Sequence, residues 1–431
     1  MDTQNEIKAS DMLRPFHFVG PEHPFYPQIA AFQEALDASS LYEKACALAA
    51  SSGRKDGLKK WTVHCEIKGR LIEETDWELN RFYWSFQYWD PSLPLGFHAI
   101  TLYYAAKTGK TFFYQFPDDP YLSGMADYFH QLKAGGGAMH VLRYVPLRRF
   151  TFLLSGHEAH PESVIAKFKR KSRFREGFDR IRLVYEGSQA QKIPFSLPVP
   201  ISLDKGHCLY FQEKKKGEDL ALLLSEANYQ GLLRRVGQLH AALHDMKVDA
   251  APSWDFSDVI QTLKNDISWI KFFMPEDTAF LKEVLTQLLE RIPDCAPEDQ
   301  VFCHGDFVCS QLLKSGEDWA VIDFDLVKSA DRYFEMAMLI ASLRYDVPLF
   351  EAAAASGNLS MLSEAEEAYL EGYDRHFHKP LDRERLTWYR MRFEIYYLAL
   401  MIKKDRFHPA AYQYGINQLY RLRDDLLREI P

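Results

Sequence analysis

The sequence predicts an α+β protein with a helical lead, a β-rich first half and a mainly helical second half. Three observations predict it. Four short segments between Trp61 and Phe116 are rich in Trp, Tyr, Phe, Val and Ile, the composition of strands. From Leu232 onward apolar residues recur at three- and four-residue spacing, the period of a helix that buries one face. A content of 47% hydrophobic and 26% charged residues is the balance of a globular chain. The 431 residues exceed one ordinary core, and about 150 residues per domain implies two or three units.

Taken in order, residues 1–58 read as a helical extension, with Ile29, Phe32, Ala35 and Leu36 near helical spacing before a break at Ser51-Ser52-Gly53. WTVHCEIKG, RFYWSFQYW, HAITLYYAA and KTFFYQF predict an antiparallel sheet, with Lys107-Thr108-Gly109-Lys110 as a hairpin turn. PDDPYLSGM interrupts the strand pattern and Gly135-Gly136-Gly137 marks a joint, which closes a first unit at residues 1–138. MHVLRYV, RRFTFLLS and VIAKFKRK then predict three strands, followed by a helix from Ser172 to Glu186 and a Pro-rich stretch over 194–200. HCLYFQE adds a strand that stops at the charged segment KKKGEDL, so a second unit spans 139–213. The third, 214–431, is helical: Leu232–Leu243, Asp258–Leu289, and Ser363 to the end.

The net charge of -8 and a pI near 6.0 provide no global attraction to nucleic acid or an anionic membrane, and lean toward a cationic small-molecule partner. KFKRKSRFR, which crowds Lys167, Lys169, Arg170, Lys171, Arg173 and Arg175 together, is either a solvated face or a phosphate footprint. Six cysteines without a C-x-x-C pair fit a reduced, cytoplasmic setting. The first residues lack signal-peptide character, and no apolar stretch reaches the roughly eighteen residues that span a bilayer.

Chemistry concentrates in VFCHGDFVCSQLLKSGEDWAVIDFDL. Two apolar runs lead into His304-Gly305-Asp306 and into Asp323-Phe324-Asp325, so carboxylates are expected at neighbouring strand ends. Mg²⁺ prefers hard oxygen ligands and takes one or two carboxylates, a neutral donor such as Gln311, and phosphate. A metallohydrolase built from Cys303, His304, Asp306 and Cys309 is the rival reading, opposed by the alternation that sends successive strand residues to opposite faces.

HGD-x4-Q followed by VIDFD resembles the catalytic and metal loops of the aminoglycoside phosphotransferase and choline kinase superfamily, with Gln for the usual Asn as in maltokinase-like members. The resemblance covers about residues 139–400. It implies a protein-kinase-like two-lobe fold, with a β-rich small lobe and a mainly helical large lobe behind an N-terminal α/β extension. It also implies ATP- and Mg²⁺-dependent transfer to a hydroxyl of a small molecule such as a sugar, aminoglycoside or amino alcohol, with no nucleic-acid or membrane partner. Carried over by position, Asp306 orients or deprotonates the acceptor, Gln311 and Asp323 hold Mg²⁺ with Asp325 close to it, and His304 orients the catalytic loop.

LRYVPLRRFTFLL resembles the strands that close over nucleotide phosphates, with Arg148 and Arg149 in place of glycines. Lys167 resembles the strand lysine of the α- and β-phosphates, with Glu176 or Glu186 as its partner. Leu209–Glu213 resembles the adenine hinge, carrying Gln212 and Glu213. In LRRVGQLHAALH, His240 and His244 read as packing residues. ADRYFEMAMLIASL resembles the G-D-P-x-x-D-L-A segment, with Ala330 for Gly, Arg332 for Pro and Glu335 for the second Asp. Those departures leave a nucleotide-binding pseudokinase as the alternative.

Overall fold

Alternation builds the first sheet. The computed structural model describes residues 13–428 apart from short stretches, the longest at 52–59, 72–76 and 295–299. β1 (Lys60–Leu71), β2 (Trp77–Trp89), β3 (Phe97–Ala105) and β4 (Lys110–Gln115) form an antiparallel meander in sequence order. Its apolar face, with Cys65, Ile67, Phe82, Trp84 and Phe86 buried, packs on α1 (Tyr26–Asp37) and α2 (Ser40–Ser51). Phe32 meets Phe82, and Tyr42 meets Trp84, edge to face. The opposite face carries His64, Glu66 and Lys68 on β1, across from Ser85, Tyr83 and Arg81 on β2. Ser52 and Gly53 of the expected break lie outside the described residues.

A second antiparallel sheet has the order β5-β6-β7-β9-β8. It comprises β5 (Ala138–Val145), β6 (Arg149–Ser155), β7 (Val164–Lys169), β8 (Pro200–Asp204) and β9 (Leu209–Glu213), with α4 (Phe174–Ser188) between β7 and β8. Its apolar face lies on α3 (Met125–Gly135), an element the strand-based reading passed over although Met125, Phe129 and Leu132 already stand at i, i+4, i+7. Met125, Phe129 and Leu132 share a core with Phe150, Phe152, Phe168 and Phe211. α3, which precedes residue 138, thus packs with this sheet. Gly136 of the expected joint lies outside the described residues.

The rest is a helical lobe: α5 (Leu220–Leu223), α6 (Tyr229–His244), α7 (Phe256–Phe273), α8 (Thr278–Glu290), α9 (Arg332–Tyr345), α10 (Ser360–Asp374), α11 (Arg383–Lys403) and α12 (Pro409–Arg428). Each long helical stretch expected from periodicity is interrupted near a proline. Pro275 opens a 3₁₀ turn between α7 and α8, Pro380 precedes α11, and Pro409 begins α12, since the ring cannot continue an interior helix. The apolar runs flanking the HGD motif are strands but do not pair with each other. β11 (Gln300–Cys303) pairs with β14 (Lys328–Asp331), and β12 (Leu312–Ser315) pairs with β13 (Asp318–Val321) and β10 (Glu218–Asp219).

The meander ties both lobes together. Phe25 and Trp269 are in ring contact, Lys404 pairs with Glu66 at 2.6 Å, and Gln87 Nε2 donates to the Tyr144 carbonyl of β5 at 3.1 Å. Leu147, in the β5–β6 turn, packs against Tyr83 and Tyr103. Among the described residues no helix is long and apolar enough to cross a membrane.

α6 and α10 cross in backbone contact. A Cβ on Gly237 would overlap the Tyr369 carbonyl, and one on Gly372 would overlap the Arg234 carbonyl. Gly237→Ala is expected to lower unfolding stability by about 2 kcal/mol or more, the cost of overpacking a tight contact. Urea titration of both forms measures this, and equal midpoints would show that the crossing relaxes freely.

Candidate active site

Alternation along β7 divides its side chains: Val164, Ala166 and Phe168 enter the core, while Lys167 and Lys169 face the helical lobe. Across the sheet, Arg143 on β5, Thr151 on β6, Lys167 on β7 and Tyr210 on β9 stand in register, so they share that face. Arg149 sits opposite Lys169 in the next row.

The helical lobe answers this cationic face with carboxylates. Lys167, only 6% exposed, places Nζ 2.6 Å from Asp323 Oδ1, and Arg149 reaches Asp323 Oδ2 at 3.4 Å. Lys169 pairs with Asp325, whose other oxygen accepts from the Tyr210 hydroxyl at 2.7 Å. Arg180 of α4 donates to the Asp325 carbonyl at 2.6 Å. Burial alone would raise the Asp323 carboxyl, but the Lys167 ammonium and Arg149 guanidinium hold it well below the ordinary carboxylate range. Asp323 adopts φ 68°, ψ 48°, a left-handed conformation that a non-glycine residue takes only where surrounding contacts enforce it.

Asp306 differs. No side chain among the described residues hydrogen-bonds its carboxylate, and burial together with the Asp323 charge raises its pKa against the opposing pull of His304, Arg149 and Arg143. Its loop is held from behind. His304 is fully buried, its Nε2 donating to the Ile322 carbonyl at 2.8 Å and its Nδ1 accepting from the Asp306 N–H at 3.3 Å. Those partners assign the tautomer and join the two motifs that the strands leave unpaired. Gly305 has φ +87°, and a Cβ there would overlap the Leu326 carbonyl, so the two loops meet backbone to backbone.

Glu335, also fully buried, accepts from the backbone N–H groups of His304 at 3.0 Å and Gly305 at 2.5 Å. His240 and His244 approach it through Nε2 at 3.2 and 3.3 Å, while their Nδ1 atoms meet the hydroxyls of Tyr369 and Tyr373 at 2.6 and 2.7 Å. Burial would raise Glu335, but the hydrogen bonds from the two histidines hold it well below its ordinary range. The three residues have the residue types of a metal site, yet each ligand atom already has a protein hydrogen bond. They act as a hydrogen-bonded anchor for the loop that bears Asp306.

The structure thus gathers Lys167, Arg149, Asp306, His304, Asp323 and Asp325. Gln311, 6% exposed, makes no side-chain hydrogen bond among the described residues, and its backbone carbonyl accepts from the Ile322 N–H at 3.0 Å. The oxygen donors of Gln311 and Asp323 fit the chemistry of a hard cation. Asp325 does so less well, because both its oxygens are taken by Lys169 and Tyr210.

Arg148 is not brought in; it is exposed and lies 3.8 Å from Glu66. Glu213 binds Lys215 at 3.0 Å and accepts from the Val199 N–H, and Gln212 is buried with its Oε1 unpartnered. Neither glutamate considered for Lys167 reaches it: Glu176 binds Arg173 and Arg180, and Glu186 lies 3.8 Å from Arg182. Cys303, His304, Asp306 and Cys309 do not converge, since Cys303 Sγ faces His244 and the Ala330 carbonyl while His304 faces Ile322. The KFKRKSRFR run is likewise dispersed, Lys167 and Lys169 turning inward and Arg173 pairing with Glu176.

Lys169 was legible from strand alternation two residues beyond Lys167. Tyr210, Arg143 and Arg180 had no local signal tying them to the site, and Glu335 stood out only as the replacement for the second Asp of the G-D-P-x-x-D-L-A segment. Glu335→Gln removes the charge on which four donors converge and is expected to cost about 2 kcal/mol or more of stability, the penalty for orphaning buried hydrogen-bonding groups. Chemical denaturation with amide exchange at Gly305 checks this; unchanged exchange there would remove the anchor role.

An APH(4)-Ia aminoglycoside phosphotransferase solved with ADP and hygromycin B is 16% identical, covering 68% of this chain and 96% of its own, with a TM-score of 0.47. Spectinomycin phosphotransferase APH(9)-Ia, solved with ADP and spectinomycin, is 16% identical over 68% of this chain and 93% of its own, with a TM-score of 0.44. APH(3'')-Id from Streptomyces rimosus is 16% identical over 63% of this chain and 97% of its own, also at 0.44. No curated protein matches the chain significantly. The model of the phosphotransferase enzyme family matches residues 151–388, more than half of the sequence and a stretch that holds Lys167, Lys169, Asp306, Asp323 and Asp325, and the chain belongs to that family.

Proposed function

We propose that this chain transfers the γ-phosphoryl group of ATP to a hydroxyl of a small molecule in a Mg²⁺-dependent reaction. The observation that carries the reading is the contrast between two neighbouring carboxylates. Asp323 is ionised and gripped by Lys167 and Arg149, whereas Asp306 is unengaged with a raised pKa. One suits charge organisation and the other suits proton acceptance.

In this reading Lys167 and Arg149 would engage phosphate oxygens in place of Asp323, and Asp323 with Gln311 would be the residues that hold Mg²⁺. The bound ion supplies charge neutralisation on the polyphosphate. Asp306 accepts the proton of the acceptor hydroxyl, and His304 and Glu335 keep its loop fixed while it does so. Asp325 holds Lys169 and Tyr210 in place. The backbone of β9 pairs with adenine, Gln212 and Glu213 supporting the strand rather than touching phosphate. Catalysis is by positioning and electrostatics, with no covalent intermediate.

A nucleotide-binding protein without transfer is the second reading, favoured by one observation: both Asp323 oxygens are occupied by cations. Turnover separates the two. With Mg²⁺ and a panel of alcohols, Asp306→Asn and Asp323→Ala are each expected to lower acceptor-dependent ATP consumption by at least about 10²-fold; nucleotide binding with no turnover on any acceptor would support the second reading.

The raised pKa of Asp306 also sets a pH dependence. A base must be ionised, so activity should fall as pH drops, with its acid limb above the ordinary aspartate range. Arg149→Gln removes a positive charge that favours ionised Asp306, so the limb should move to higher pH in kcat/KM profiles. A limb that stays in place or moves down would exclude Asp306 as the titrating base.

A further inference from the structure

Near Asp306 stand two arginines whose guanidinium groups no side chain among the described residues pairs. Arg143 stands at the outer end of the row that runs through Thr151 and Lys167, on the edge strand β5. Arg149, Asp323, Asp306 and Arg406 all act on its charge. Arg406 belongs to the turn between α11 and α12. Both arginines are exposed, and among the described residues neither makes an ion pair or a hydrogen bond through its side chain. Both arginines also act on His64 of β1.

The nearest carboxylate on β1 is spoken for. Glu66 binds Lys404 at 2.6 Å and lies 3.8 Å from Arg148. Its neighbour His64 is pushed down to about 4 by burial and by Arg406, Arg143 and Lys404, so it stays neutral between them. On a chain of net charge -8, this local surplus reverses the global balance. Two guanidinium groups that repel each other are stabilised by an anion placed between them, and the planar fork of each suits a carboxylate or a phosphate. The acidic composition pointed toward a cationic acceptor, and the distribution of charge near Asp306 points the opposite way.

We propose that the acceptor is an alcohol that also bears an anionic group, a carboxylate or a phosphate, held by Arg143 and Arg406 so that its hydroxyl reaches Asp306. This rests on the phosphotransferase reading and adds the class of acceptor to it.

Four matched probes test it: glycerate, glycerol 3-phosphate, glycerol and 3-amino-1,2-propanediol, titrated calorimetrically into the full chain with and without Mg²⁺ and a non-hydrolysable ATP analogue. The two anionic probes are expected to bind, and the neutral and cationic ones to bind at least about tenfold more weakly, the scale of one charge-assisted hydrogen bond. Whether glycerate or glycerol 3-phosphate binds tighter distinguishes carboxylate from phosphate. Arg143→Gln and Arg406→Gln should each erase the preference, and Arg406→Lys should keep it in part. Equal binding of all four probes, or a preference unmoved by both glutamine variants, overturns the proposal. Failure of the ATP analogue to bind would instead overturn the parent reading, and the anion titration without nucleotide would still decide this one.

Discussion

Glu335 carries the constraint on which the rest of the site depends. A carboxylate with no exposure persists in a protein interior only when donors surround it, and here they come from two directions. The His304 and Gly305 amides arrive from the catalytic loop, and the imidazoles of His240 and His244 arrive from α6. The tyrosine hydroxyls of α10 then fix the imidazoles. Because the donors belong to separate elements, none can shift without orphaning a buried charge, so the loop bearing Asp306 inherits the rigidity of three helices. The glycine contacts between α6 and α10 serve the same end by bringing the tyrosines close enough to act.

Against this fixed base, the small lobe presents a row of cations and the metal loop a pair of carboxylates. Each group would be costly alone in so enclosed a site, and each is stabilised by the other. Lys167 with Asp323, and Lys169 with Asp325, close the cleft from both sides. The meander adds a third wall: it buries one face on α1 and α2 and leans its polar face over the β5–β6 turn and the end of α11. The segment read as an N-terminal extension with a β-rich subdomain thereby touches both lobes.

Some of this site lay open in the chain. HGD, the Gln five residues after its aspartate and the run ending in Asp323-Phe324-Asp325 are contiguous, and contiguous residues carry chemistry that pattern alone can identify. Lys169 was accessible through strand alternation. Arg148 and Arg149 were not separable by pattern, since adjacent residues leave a turn in opposite directions, and the structure sends one to Glu66 and the other to Asp323. Glu335 read as a departure from a motif, and its role became visible only where the amides of a distant loop met it.

The sequence by itself determined most of the elements and the α+β class, because strand alternation, helical spacing and proline punctuation act over a few residues, and it displayed the HGD and Asp323-Phe324-Asp325 motifs as contiguous runs. Only the tertiary structure decided which charge meets which. Lys167 and Asp323 are 156 positions apart, and so are Lys169 and Asp325. Pairing over such separations is set by how buried faces stack and by the cost of leaving a charge without a partner, neither of which local periodicity encodes.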